Sequence, residues 1–221
     1  MIKPIDARSH LSPQKIQAIT CQMNNKKEQI LRGAEKVFLA VGYERASMSQ
    51  IAREAGVSKG TLYNHFDGKA SLFSAFFEEQ TTTKLATIDA LAKENNKSIQ
   101  ENISQFVAAI IHLMISPISQ ALYRILISEV TQFPNLADTF WRYGYTRTLN
   151  TLSEWLSKKH HNGDLFVPDP SFAAEQLLML CQARIVHRKR FMLPVDDSQK
   201  AINQLISLTT DAFMKIYAPH P

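Results

Sequence analysis

The chain has 221 residues, of which 45% are hydrophobic and 20% are charged, so it can bury a sizeable core and is not a disordered polyelectrolyte. Seven glycines, nine prolines and few runs of Val, Ile and Thr favour an all-α fold. The net charge of +5 is denser near the N-terminus: residues 24–69 hold eight basic and five acidic side chains, whereas residues 81–221 hold fourteen and twelve. This distribution points to a polyanionic partner for the N-terminal part, although an ordinary solvated surface has the same composition.

Signals for export, membrane insertion and disulfide formation are weak. Two cysteines, Cys21 and Cys181, are too few for a disulfide framework. The first residues, MIKPIDARSHL, contain no apolar signal core. The longest apolar run, FVAAIIHLMI, is interrupted by His112 and is much shorter than the roughly 20 residues of a membrane span. We therefore expect a cytoplasmic protein without a membrane partner.

The N-terminal region is predicted to contain a loose extension followed by a firm helix. Residues 1–23 carry scattered polar residues and two prolines, so we expect an extension without a fixed place. From about Lys26 to Val41, apolar residues repeat at helical spacing on one face. Gly42 follows this pattern and is expected to end the helix.

Two short helices are predicted next, joined by a glycine turn. Ser47 and Gln50 have the spacing of a capping box, which begins a helix that ends near Ala55. Gly56 can supply the positive φ of the turn, and Ser58 can cap a second helix that extends to Phe66. This pattern predicts a helix-turn-helix over residues 47–66.

The rest of the chain continues as helices. A long helix is predicted from Lys69 to about Lys93, and five more follow, which gives about nine in all. Their expected ranges are 98–116, 119–133, 137–161, 169–190 and 197–217.

The second short helix has an unusual outer surface. Leu62 and Phe66 lie four residues apart and are expected to point inward. At about 100° per residue, the opposite side then presents Gly60, Thr61, Tyr63 and Asn64. Free first-turn amides, a lysine, hydroxyls and an amide side chain together suit phosphates and base edges, which the major groove of DNA combines.

The residues of this region resemble the TetR/AcrR family of bacterial transcriptional regulators. The resemblance rests on Ile-Leu at 30, Gly-Tyr at 42 and SMSQIAREAGVSKGTLYNHFDGKASLF from residue 47. The chain departs from the family pattern at Ala46, where many members carry a hydroxyl residue, and at Gly68, where a capping Ser is usual. Two later stretches, LYRILISEVTQFPNLADTFWRYG and GDLFVPDPSFAAEQLLMLC, are more loosely similar to the C-terminal domain of the AefR-like subgroup.

The resemblance implies a division of labour along the chain. Residues 24–84 are expected to bind DNA, and residues 85–221 are expected to sense a ligand and to form a dimer. The expected DNA-binding residues are Ser47, Ser58, Lys59, Gly60, Thr61, Tyr63, Asn64, His65 and Lys69. Within this set, phosphate contacts fall to Ser47, Tyr63, His65 and Lys69, and base edges or nearby phosphates to Lys59, Thr61 and Asn64. Simpler roles remain open, because Tyr63 suits a core, His65 a structural contact and Lys69 a solvated surface.

Two further sets of residues are expected in the C-terminal part. Large apolar and amphipathic side chains on the middle helices can line a cavity, or can fill a solid core: Phe106, Ile110, Met114, Tyr123, Ile127, Trp141 and Tyr145. A wide apolar face on the last two helices suits a dimer interface, or alternatively an intramolecular core: Phe172, Leu177, Leu180, Cys181, Leu205, Ile206 and Phe213.

The resemblance thus implies a homodimeric repressor, which would leave a palindromic DNA operator when a small, largely apolar effector binds. A DNA-binding regulator controlled by a partner protein is the alternative. An enzyme is disfavoured because no nucleophile elbow, dinucleotide fingerprint or P-loop is present. The seven histidines do not fall at metal-binding spacings, so neither a metal nor a cofactor is expected.

Overall fold

The computed structural model describes residues 13–94 and 97–219, with side-chain packing described from residue 24. These residues form helices and connecting turns without strands, which confirms the predicted all-α class. The helices are α1 (Pro13–Arg45), α2 (Met48–Glu54), α3 (Lys59–His65), α4 (Lys69–Leu91), α5 (Ile99–Ile115), α6 (Pro117–Glu129), α7 (Asn135–Phe140), α8 (Thr146–His161), α9 (Pro170–Leu180), α10 (Ile185–Arg190) and α11 (Gln199–Tyr217).

The first helix is longer than its apolar pattern indicates. It begins at Pro13, so the later part of the predicted loose extension is helical, while residues 1–12 lie outside the described residues. Gly42 leaves helical geometry with φ 81°, as expected of a stop. Helical turns resume after it and end at Arg45.

Side-chain caps fix the two short helices. The Ser47 hydroxyl accepts a hydrogen bond from the Gln50 amide at 3.2 Å, and the Gln50 side chain accepts from the Ser47 amide at 2.9 Å. The Ser58 hydroxyl accepts from the Thr61 amide at 3.0 Å. Both caps are those that the sequence predicts, and each satisfies a helix-end donor that is otherwise left unpaired.

The chain forms two compact units, one up to Phe76 and the other from Phe77. In the first unit, the core is built around Phe38, whose ring meets Phe73 edge-on at 5.1 Å and Phe76 at 6.0 Å. Gly33 of α1 allows the backbone of Ala55 to come close, because a Cβ at residue 33 would lie 2.7 Å from the Ala55 Cβ.

The second unit has a separate core. Phe106 and Trp155 are buried at its centre and their rings meet edge-on at 4.9 Å. Among the described residues, no single helix has the length and hydropathy of a membrane span; α5 and α6 reach them only as a pair, bent by 64°.

Two predicted helices are interrupted. The helix expected over 137–161 contains a π-helical turn, Trp141–Tyr145, between α7 and α8. The helix expected over 169–190 is broken after Leu180, where Arg184 has φ 54° and ψ −87° before α10 begins. This break is a correction to the prediction, since neither Gly nor Pro marks it in the sequence.

Candidate nucleic-acid interface and ligand cavity

Helix α3 separates an inner from an outer face as its periodicity predicts. Leu62 is fully buried and Phe66 is 7% exposed. Tyr63 is 53% exposed, and Asn64 next to it is also exposed. The core role considered for Tyr63 is therefore excluded, and the aromatic hydroxyl is available at the surface.

The centre of this outer face is open. A Cβ added to Gly60 would meet only the Ser58 hydroxyl, at 3.8 Å. Lys59 and Gly60 are exposed, whereas Thr61 and His65 are half-buried. The missing side chain leaves a gap between exposed polar groups, which a partner backbone can enter.

The predicted phosphate-binding residues differ in how far they are already engaged. The Ser47 hydroxyl lies 2.9 Å from the Gln50 side-chain oxygen, and the Ser58 hydroxyl lies 2.8 Å from that of Thr61, so both complete helix caps. The Lys69 ammonium donates to the Glu44 carbonyl at 2.8 Å and lies 4.6 Å from the centre of the Tyr43 ring. Lys69 thus holds the end of α1 to the start of α4, beyond any role on DNA.

The second unit contains a cavity of about 330 Å³. Its wall is mainly apolar and aromatic, with contributions from α4, α5, α6, α9, α10 and the π-helical turn. Five of the seven residues predicted for a cavity lie on this wall: Ile110, Met114, Tyr123, Trp141 and Tyr145.

The other two predicted cavity residues require correction. Phe106 is fully buried against Trp155 in the core and is not on the wall. Ile127 is 62% exposed on the outer side of α6. Periodicity placed both residues on apolar helices, but only the packing of neighbouring helices decides whether a side chain meets a hollow, a core or solvent.

Lys84, Gln120 and Arg190 also lie on the wall, although the sequence analysis did not predict them. Lys84 donates to the Ser116 hydroxyl at 3.4 Å, and the Gln120 amide donates to the Met114 carbonyl at 2.6 Å. The Arg190 guanidinium lies 4.0 Å from the centre of the Tyr123 ring and donates to the Gln182 side chain. Burial lowers the pKa of Arg190 from its ordinary value, partly offset by Tyr123.

Comparison with known proteins supports the interpretation of this chain as a transcriptional regulator. A family profile described as "Bacterial regulatory proteins, tetR family" matches residues 30–76. A second profile, "AefR-like transcriptional repressor, C-terminal domain", matches residues 101–219, more than half of the chain. The chain belongs to the TetR family. Its helix-turn-helix is thus a family DNA-binding domain, and its relatives are transcriptional regulators rather than enzymes.

Individual relatives match this TetR-family protein either over a short segment or at low sequence identity. The A-factor receptor protein of Streptomyces griseus is 48% identical over 54 residues, which are 24% of this chain and 20% of the receptor. The chain thus matches well under two thirds of that relative's length. A TetR-family regulator from Mesorhizobium loti shares the fold, with a TM-score of 0.80 at 22% identity over 89% of this chain and 98% of that one. The flavonoid-responsive regulator FrrA has a TM-score of 0.75 at 28% identity, over 90% of this chain and 100% of FrrA.

The predicted dimer residues of this TetR-family protein also need correction. Leu177, Cys181, Leu205 and Phe213 are at most 3% exposed and belong to the core of their own unit. Burial in that core also raises the pKa of the Cys181 thiol. Leu180 and Ile206 are half-buried, and only Phe172 of the set is well exposed, at 54%. The well-exposed apolar side chains on α9 and α11 are Phe172, Met179, Leu208 and Ile216, and Met179 also lines the cavity.

Proposed function

We propose that this TetR-family protein is a homodimeric repressor that binds a palindromic operator in the cytoplasm and leaves it when a small, largely apolar molecule enters the cavity. The observation that carries the proposal is the outer face of α3, where exposed polar side chains flank the gap at Gly60. Such a face fits a major groove, in which an Asn can pair with adenine and a Thr methyl can touch thymine.

Two copies of α3 are needed for a useful reading of DNA. The helix has seven residues, so one copy reaches only a few base pairs. Two copies separated by one helical turn of DNA read a palindrome. Phe172 on α9, with Leu208 and Ile216 on α11, offers exposed apolar surface for the pairing.

Helix α4 is the proposed route of coupling. Its first part supplies Phe73 and Phe76 to the core of the first unit, and its later part supplies Phe77, Thr81 and Lys84 to the cavity wall. A ligand that prefers one position of these later residues shifts the population of α4 conformers, and typical coupling free energies are about 1–3 kcal/mol. The expected result is a changed spacing of the two α3 helices.

Control by a partner protein is the alternative. The cavity favours a small molecule instead, because its volume and mainly apolar wall are those of ligand sites. FrrA, a structural relative, is described as flavonoid-responsive, which agrees with a small-molecule effector.

The DNA-binding part is tested by titrating a fluorescent duplex from the region upstream of the gene. We expect Lys59→Gln to weaken binding and to reduce the slope of log affinity against log salt by about 0.9, because one phosphate contact is lost. Lys93→Gln, the same change at an exposed lysine after α4, serves as the control and should alter neither quantity. Equal effects of the two substitutions would contradict the assignment.

Tyr63→Ala is a second test of the same face. Tyr63 is mostly exposed, so its removal should weaken DNA binding with little loss of stability. Lys69→Ala is less informative, because Lys69 also bonds the Glu44 carbonyl. Full DNA affinity in Tyr63→Ala would remove this residue from the interface.

A further inference from the structure

The charge on the cavity wall is one-sided. Lys84 and Arg190 are both on it, whereas no Asp or Glu is among the described residues that line it. A carboxylate does act on one lining residue, since Glu175 contributes to the raised pKa of Tyr145, after burial. Glu175 itself is not on the wall. An otherwise apolar chamber thus carries two cationic groups.

Of the two cationic groups, Arg190 gives the stronger indication of an anionic ligand. Its recorded partners, the Tyr123 ring and the Gln182 side-chain oxygen, are both uncharged. Within residues 24–94 and 97–219, none of the ion pairs includes Arg190. A half-buried guanidinium pays a desolvation penalty that an uncharged partner offsets only in part, and a carboxylate is its best geometric match.

We propose that the cavity binds a lipophilic organic anion, whose acidic group pairs with Arg190 and whose hydrocarbon or aromatic body lies against the surrounding rings. The proposal rests on the proposed function, in which this cavity holds the effector, and it names the effector's chemical class. Tyr145 and Trp141 stack at 4.6 Å and supply part of the flat apolar surface that such a body needs. Lys84 adds a second positive charge to the same wall.

Gln120 indicates that the bound anion also carries a hydrogen-bond donor. Its side-chain oxygen is buried without a hydrogen-bond partner among the described residues, while its nitrogen is held by the Met114 carbonyl. The amide is therefore oriented with an unpaired acceptor, and it lies on the cavity wall. A hydroxyl on the anion would satisfy this acceptor, which is costly to leave unpaired.

The test compares acids with their neutral amides on the full-length protein. The probes are 2-naphthoate, 4-phenylbutyrate and decanoate, each beside its carboxamide, which keeps the shape and removes the charge. Binding is followed by quenching of Trp141, which lies on the wall, in a Trp155→Phe background. For at least one pair we expect the acid to bind about tenfold or more tightly than the amide, as a charge-assisted hydrogen bond would give.

Matched variants assign the preference to Arg190. In Arg190→Gln the preference for the acid should fall to about threefold or less, while the amide's affinity changes little. Lys189→Gln, the same loss of charge on the adjacent residue of α10, does not touch the wall and should keep the preference. Among isomers of hydroxy-2-naphthoate, at least one should bind more tightly than 2-naphthoate, and Gln120→Leu should abolish that gain.

Three outcomes would overturn the proposal: equal or tighter binding of the amides, equal effects of the two α10 substitutions, or no binding of any acid at about 1 mM. Release of the DNA duplex separates this result from the proposed function. Acids that bind selectively without releasing DNA would sustain the ligand class and contradict the effector role. Release by the amides alone would sustain the effector role and contradict the ligand class.

Discussion

At the scale of single residues, Gly60 is the most informative position on α3. Its side chain is absent at the centre of the exposed face, yet its backbone is helical and its surroundings leave room for a methyl group. The protein's own packing therefore does not require glycine there. The open space agrees with the close approach of DNA that we propose for this face.

Gly60→Ala distinguishes a glycine that the fold requires from a glycine that makes room for a partner. Because alanine favours helix, we expect the free energy of unfolding to stay the same or to rise by up to about 1 kcal/mol. DNA binding should weaken, because the added methyl group stands between α3 and the groove. Thermal unfolding and duplex titration measure the two effects, and unchanged DNA affinity would show that no partner comes close at this position.

Single residues also mark the limit of sequence reasoning. The inner and outer faces of α3 were predictable, because Leu62 and Phe66 set the phase of a short helix with a recognisable cap. The roles of Phe106 and Ile127 were not, because an apolar stripe is the same whether it meets a core, a hollow or solvent. That difference depends on helices distant in sequence.

At the scale of elements, the break between α9 and α10 is the feature that the sequence concealed. The residues from Cys181 to Arg184 contain neither Gly nor Pro, so the helical pattern runs through them without a stop signal. In the sequence, Arg190 belongs to a basic run near the end of a predicted helix, which the helix dipole explains without a ligand. In the folded chain the break redirects α10, and Arg190 lies on the cavity wall.

The backbone at this break gives an element-scale prediction. Arg184 has φ 54° with ψ −87°, a conformation that costs a side-chain-bearing residue about 1–3 kcal/mol. Arg184→Gly should relieve most of this cost and raise the free energy of unfolding by about 1 kcal/mol, which corresponds to about 2–4 °C in Tm for a chain of this size.

A control checks that the gain comes from the local backbone. Ala183→Gly, one residue earlier, has no positive φ to relieve and should stabilise nothing. Calorimetry on both variants makes the comparison. Loss of stability in Arg184→Gly would indicate that the side chain contributes more than the backbone costs.

At the scale of the whole molecule, the dimer is the main prediction. Leu208 is 45% exposed on α11, whereas Leu205, three residues earlier, is buried in the core. Leu208→Glu should therefore leave the fold intact and place a charge on the proposed interface. We expect sedimentation to show a monomer and duplex affinity to fall by at least tenfold, because the two α3 helices no longer act together.

Ile127→Glu provides the matched control for this substitution. Ile127 is an exposed apolar residue on α6 and is not part of the proposed interface on α9 and α11, so the same change should preserve the dimer. A Leu208→Glu protein that remains dimeric would place the interface elsewhere on the molecule.

The π-helical turn between α7 and α8 affects how the lining of the cavity in the second unit can vary. Such a turn holds one residue more than regular helix requires, so it offsets the two flanking segments by about 100° of rotation. Trp141 and Tyr145 both belong to this turn and lie on the cavity wall. Deleting one residue of this turn, for example the exposed Arg142, should rotate one of the flanking helices, α7 or α8. Other side chains would then replace Trp141 and Tyr145 on the cavity wall. We therefore expect a change in chain length by a single codon to alter the lining of the proposed ligand cavity, with every other residue kept.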